Sequence, residues 1–115
     1  MATSRCARVI YWRAEPGQLD AYTGYLREVV ESIDEEARQR GALLSFTTLV
    51  DPSPGAPWTH MRLFTFENPA QRADMVAALA RAAAVLTPDA GERAARAAHV
   101  ATLRVRVGEA DFDIL

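Results

Sequence analysis

Across residues 18–40, Leu19, Tyr22, Leu26, Val29, Val30, Ile33 and Ala37 recur at three- and four-residue steps, while Asp20, Arg27, Glu31, Asp34, Glu35 and Arg38 fill the positions between. That spacing draws one apolar stripe along a helix whose other side is charged, so the helix needs a surface to lie on. The flanking segments supply one. Residues 6–14 are rich in β-branched and aromatic side chains and stop at Glu15, Pro16 and Gly17, where proline and glycine break a strand. Gly41 follows the last helical position, as a left-handed C-terminal cap would, and residues 42–50 read as a second strand.

The same order then comes again. Residues 58–67 read as a third strand, joined to the second by a hairpin whose tip, residues 51–57, holds three prolines and cannot extend either strand. Asn68 is placed to cap a second helix with Pro69 in its first turn, and Met75, Val76, Leu79, Ala83 and Leu86 mark its expected buried face. Thr87, Pro88 and Asp89 stop that helix and start a short one through about Ala98, after which residues 99–107 read as the last strand. The remaining tail is acidic but ends in Phe112, Ile114 and Leu115, and is expected to dock on a neighbour. Two strand-helix-strand units predict an α+β, ferredoxin-like β-α-β-β-α-β domain with a four-stranded antiparallel sheet and both helices on one side.

The open side of that sheet needs a cover. Alternation in the third strand sets Trp58, His60, Arg62, Phe64 and Phe66 against Thr59, Met61, Leu63 and Thr65, and neither set is polar enough to face water. A partner sheet from a two-fold homodimer is the simplest cover.

Length and composition narrow the function. With 115 residues, half of them apolar and about a quarter charged, the sequence reads as one water-soluble domain spanning 1–115. No apolar run approaches the roughly 20 residues of a membrane span, and the first residues lack the apolar core of a signal peptide, which predicts a cytoplasmic protein with no membrane partner. All 13 basic residues are arginine, yet the net charge is −2 and no basic cluster forms, which argues against nucleic acid as a partner. Cys6 is the only cysteine, and there is no phosphate loop, nucleophile elbow or paired-histidine motif, so neither a metal nor a cofactor is expected.

What chemistry remains centres on His60 and Arg62. Imidazole titrates near neutrality and can take or give a proton. Arg62 shares the face of His60 and could hold a carboxylate, enolate or phenolate, or else pair with a helix acid such as Glu28 or Glu31. Tyr25 lies to one side of the main helical stripe, where its hydroxyl could reach a cavity edge as a donor. Trp12, Tyr22, Phe46, Trp58 and Phe64 would line a flat apolar cavity if they converge, and are otherwise core. Arg104 and Arg106 share a face of the last strand, and His99 at its mouth is a remoter candidate, as a single haem ligand.

Two segments resemble the dimeric α/β barrel proteins. Residues 13–22, Arg-Ala-Glu-Pro-Gly-Gln-Leu-Asp-Ala-Tyr, resemble that family's strand-to-helix turn, with a Pro-Gly pair ahead of Leu-Asp-x-Tyr. Residues 58–66, which open Trp-Thr-His, resemble the third strand of its stress-responsive, olivetolic acid cyclase-like branch; the antibiotic-biosynthesis monooxygenase-like branch is the other relative in view. The resemblance implies a homodimer with His60 in a pocket between sheet and helices. It also implies a cofactor-independent enzyme that cyclises, dehydrates or isomerises an aromatic or polyketide-like intermediate of natural-product biosynthesis. Alternatives are a cofactor-free monooxygenase acting on a phenolic ring, with Trp12 or Trp58 shaping the pocket, and a non-catalytic binding barrel. The first strand lacks the histidine that the cyclases carry, so any acid-base apparatus differs from theirs.

Overall fold

The computed structural model describes residues 5–115. Four strands, β1 (Cys6–Ala14), β2 (Ser45–Val50), β3 (His60–Phe66) and β4 (Arg104–Asp113), form one antiparallel sheet in the order β2-β3-β1-β4. The helices are α1 (Leu19–Tyr25), which runs through a π-helical segment (Leu26–Val30) into α2 (Glu31–Gln39), then α3 (Pro69–Ala73), α4 (Met75–Leu86) and α5 (Ala90–Ala101). Among the described residues, no helix is long and apolar enough to cross a membrane.

Local chemistry sets the boundaries. At the end of α2, Gly41 adopts φ +80° while its N–H reaches Arg38 O and that of Ala42 reaches Ala37 O, the paired bonds of a Schellman cap. Asn68 Oδ1 accepts from Gln71 N at 2.8 Å and opens α3 with Pro69 in its first turn. Cys6, Phe64 and Phe66 on the helix side of the sheet pack against Ala37 of α2 and Met75 and Ala82 of α4; a second cluster gathers Ala14, Tyr22, Leu26 and Leu103.

Three sequence expectations change. The last strand runs over residues 104–113, not 99–107, because Asp89 caps Glu92 N at 2.8 Å and the alanine-rich segment behind it continues as helix to Ala101. His99 therefore lies in the last turn of α5, against Tyr25, and no strand begins there. The acidic tail is mostly strand: Phe112 pairs with Ala7, and Arg8 grips both oxygens of Asp111 at 2.9 and 3.2 Å. On α4, Val76 is 71% exposed and Leu86 is also exposed; Met75, Ala78 and Ala82 form the buried stripe, since small side chains let the helix approach closely.

Two irregularities matter for everything that follows. At about 100° per residue, an unbroken helix would point Asp34 roughly 120° away from Tyr22. The π segment takes up about one extra residue and turns α2 back, so that Tyr22, Leu26, Asp34 and Ala37 are all buried together. In β4 the register slips between the pairs Tyr11 with Gly108 and Trp12 with Arg106, leaving Val107 as the extra residue of a β-bulge. Beyond it, Arg106 and Arg104 take the helix side of the sheet, opposite Trp12 and Ala14, and Val105 goes to the open side with Arg13.

Candidate functional site

A cleft of about 580 Å³ lies between the sheet and the helices. Ile10, Trp12 and Phe64 supply its sheet side, Val30 and Ile33 one helical wall, and Val76, Leu79, Ala80, Ala83 and Ala97 the other. Its charged groups are Arg62, Asp34 and Arg104. A smaller apolar pocket of about 220 Å³ shares Val30, Ile33, Ala83 and Ala97 with it and ends at Tyr25, Arg93 and Arg96.

Arg104 sits over the indole of Trp12, its Cζ 3.6 Å from the ring centroid, and donates to the Tyr22 hydroxyl at 2.9 Å. Arg106 also approaches the same indole, at 5.8 Å. No ion pair among the described residues involves Arg104, so its charge is balanced only by a ring and a phenol. Burial raises the Tyr22 phenol above its ordinary value, against the pull of Arg104, and this keeps it a neutral acceptor.

Arg62 is held differently. Its Nη2 pairs with Asp34 Oδ2, its Nε donates to Thr48 Oγ1 at 3.1 Å, and the guanidinium sits 4.9 Å from the Phe64 centroid. The helix acid is thus Asp34, not Glu28 or Glu31; Glu31 only accepts from Thr48 at 3.4 Å. Asp34 is 1% exposed, and burial lifts its carboxyl to about 6 even though Arg62 pulls the other way. The sequence reading had set Asp34 on the charged side of the helix. Its position four residues after Val30 and three before Ala37, inside the apolar stripe, was the available signal.

His60 is fully buried and lines none of these cavities. The Thr23 hydroxyl donates to Leu19 O at 2.8 Å, so toward His60 Nε2, 2.8 Å away, it must accept. On the other side Thr59 Oγ1 accepts from Ala14 N and gives its own proton to Nδ1 at 2.7 Å. The chain of bonds fits a neutral ring protonated at Nε2 and leaves no place for a second proton. Burial, then the nearby Arg62, push its pKa down to about 4. The expectation that His60 opens on the pocket is thus corrected: both nitrogens are occupied in building the wall behind Arg62.

A pH dependence follows. Because the folded-state value lies below the ordinary 6.5, His60 favours folding above that value, and its contribution is lost as pH falls from 6.5 toward 4. Unfolding of wild type and His60→Gln across this range should show the wild type gaining relative stability as pH rises, by roughly 3 kcal/mol at most. A difference independent of pH would mean that His60 does not titrate in this window.

The other candidates divide. Trp12 and Phe64 line the cleft. Tyr22 stands behind it, its ring edge on His60 at 4.5 Å between centroids. Phe46 packs into the first core cluster. Tyr25 closes the smaller pocket, its hydroxyl donating to Arg96 O at 3.3 Å, and does not meet Arg62. Trp58 precedes β3 and leans on Tyr11, 5.7 Å between centroids, so it belongs to the open side and not to the His60 face. Among the described residues no three His, Cys, Asp or Glu side chains gather as a metal ion would require.

No protein-family model and no curated protein sequence matches the chain. Solved structures do. HapK from Hahella chejuensis is similar over 96% of this chain and 92% of its own, with a TM-score of 0.66 at 13% identity. A protein named as a candidate antibiotic biosynthesis monooxygenase, from Chloroflexus aurantiacus, gives 0.56 at 16% identity over 97% and 94% of the two chains. A dimeric protein of unknown function and ferredoxin-like fold from Bacteroides fragilis gives 0.60 at 10% identity over 99% and 100%. Strand order and these likenesses agree that the chain has the ferredoxin-like α+β fold across nearly its whole length.

Proposed function

We propose that the cleft binds a flat aromatic or polyketide-like molecule carrying an acidic oxygen, and that the protein is a cofactor-independent enzyme that closes, dehydrates or isomerises it by moving protons. The observation that carries this reading is Arg104, a cleft-lining cation with no carboxylate partner among the described residues, placed over Trp12 in a mostly apolar space. A guanidinium held over an indole is preorganised for a ligand oxyanion. Arg62, paired with Asp34, offers a second cation on the cleft wall, with the Phe64 ring 4.9 Å from its guanidinium. His60 serves this site as structure.

Binding of 2-naphthoate, followed by the fluorescence of Trp12 in a Trp58→Phe background, tests the reading. Saturable quenching is the expected result, and no change in emission would count against the cleft as an anion site. A cofactor-free monooxygenase is the second reading, favoured by the Trp12 wall and by the printed description of the Chloroflexus aurantiacus neighbour. Oxygen uptake with a phenolic ligand would select it. A chain that binds such ligands and turns none over would be the binding barrel.

A homodimer completes this reading. The side of the sheet away from the helices exposes Leu49, Val105 and Phe112, with Met61 and Leu63 half-buried between them. Such a surface, on a chain similar to a dimeric protein, suits a second copy packed sheet to sheet. Sedimentation should give a dimer for wild type and a monomer for Phe112→Glu; a wild-type monomer at micromolar concentration would remove the dimer from the proposal.

A further inference from the structure

We infer that Asp34 is the proton-carrying group of the cleft, an inference that rests on the acid-base reading above. Three observations converge on it. The carboxylate is the only acid on the cleft wall and is almost fully buried. A π-helical segment lies immediately ahead of α2, and a regular helix of the same length would point the side chain about 120° away from Tyr22. Finally, Arg62 engages Oδ2 alone, and Oδ1 takes no hydrogen bond among the described residues, although no fully buried polar side-chain atom among them lacks a partner. Oδ1 therefore lies on the surface of the cleft.

The chemistry balances without a further reactant. Oδ1 takes a proton from a carbon beside a ligand carbonyl. The C–H electron pair moves into the C–C bond and onto the carbonyl oxygen, giving an enolate that Arg104 can hold. The same proton returns at a second carbon, or to the oxygen lost in a dehydration. Nothing is oxidised or reduced. Arg62 orients the carboxyl through Oδ2 and leaves Oδ1 to react.

The groups facing Asp34 are few. Arg62 approaches from β3, Tyr22 from α1 and Glu31 from its own helix, and Arg104 on β4 lines the same cleft, while α4 and α5 present only aliphatic side chains there. Tyr22 is raised above its ordinary value and His60 lies near 4, so a transition at about 6 would belong to Asp34.

Exchange of the acidic carbon-bound protons of 2-tetralone into D2O, followed by NMR on the full chain, is the test. Wild type should accelerate exchange over buffer, with a rate that rises as pH passes through about 6 and the carboxylate forms. Asp34→Asn should lose about 100-fold or more of that acceleration while still binding 2-naphthoate, which shows an intact cleft. If Asp34→Asn does not fold, the double variant Asp34→Leu with Arg62→Met removes both charges together and takes its place. Equal exchange in wild type and variant, or no acceleration by wild type, overturns the assignment of Asp34. Failure of 2-naphthoate to bind wild type speaks instead against the anion-binding reading, and the tetralone exchange still judges Asp34 by itself.

Discussion

Arg62→Met should cost about 3–5 kcal/mol of stability near pH 7.5, because it leaves the Asp34 carboxylate buried without its counter-charge. Methionine keeps most of the arginine stem's volume, so little of that loss is packing. The cost should shrink near pH 5. Asp34 in the wild type already holds its proton up to about 6, and deprived of Arg62 it holds it higher still, so in mild acid the carboxyl is neutral and the missing partner matters less. Adding Asp34→Leu to Arg62→Met should recover much of the loss near neutral pH, since an apolar pair of similar volume replaces a desolvated ion pair. Urea unfolding at both pH values reads the result. A loss that is the same at both and is not relieved by the second substitution would place the cost in packing and not in charge.

For Arg104→Met the larger effect is on binding. Hydrogen bonds to charged partners contribute roughly 1.5–3 kcal/mol, which converts to a fall of about 10- to 100-fold in affinity for 2-naphthoate. Methionine can still lie on Trp12, so the apolar part of the contact survives. The neutral 2-naphthamide is the control, and its affinity should change much less. Equal losses for the anion and the amide would show that Arg104 shapes the cleft without recognising charge. Tyr22 loses its side-chain hydrogen bond from Arg104 in this variant, a structural cost of about 1–3 kcal/mol, so folding is to be checked alongside.

The elements that were legible in the sequence are those that local rules define. The periodic stripe from Leu19 to Ala37, the Gly41 stop, the Asn68 cap and the first strand all follow from side-chain spacing and termini, and the topology follows from their order. The last strand was misplaced because its neighbours pull against propensity. Glu109, Asp111 and Asp113 read as a solvated acidic tail, and only the tertiary placement of Arg8 and Arg72 beside Asp111 turns that charge into a strand contact.

The site was legible only in part, for a related reason. Arg62, Trp12 and Phe64 fall on the cleft because strand alternation is a strict rule. Asp34 did not emerge: its spacing to Val30 and Ala37 points to the apolar stripe, but a regular helix of about 3.6 residues per turn sets it away from Tyr22. Trp58 was assigned by extending alternation past the end of β3, where it no longer holds. For His60 strand alternation defines the face but not the threonines around it; Thr23 comes from a helix and Thr59 from the adjoining position, and together they convert a candidate base into a fixture of the wall.

The π segment and the β4 bulge each amount to one residue beyond regular geometry, and each brings a charged side chain to the cleft. A lineage of such chains can therefore change its chemistry by letting either element relax to regular geometry at constant length, instead of through substitutions at the site itself. If Leu26–Val30 reverted to regular α-helix with no residue lost, Asp34 would rotate out, and if β4 paired without its bulge, Val105 would stand opposite Ala14 in place of Arg104; deleting the extra residue itself would keep both charged side chains in place. Pocket and scaffold are separately heritable, and two proteins of this shape can share almost every buried contact yet no reactive group.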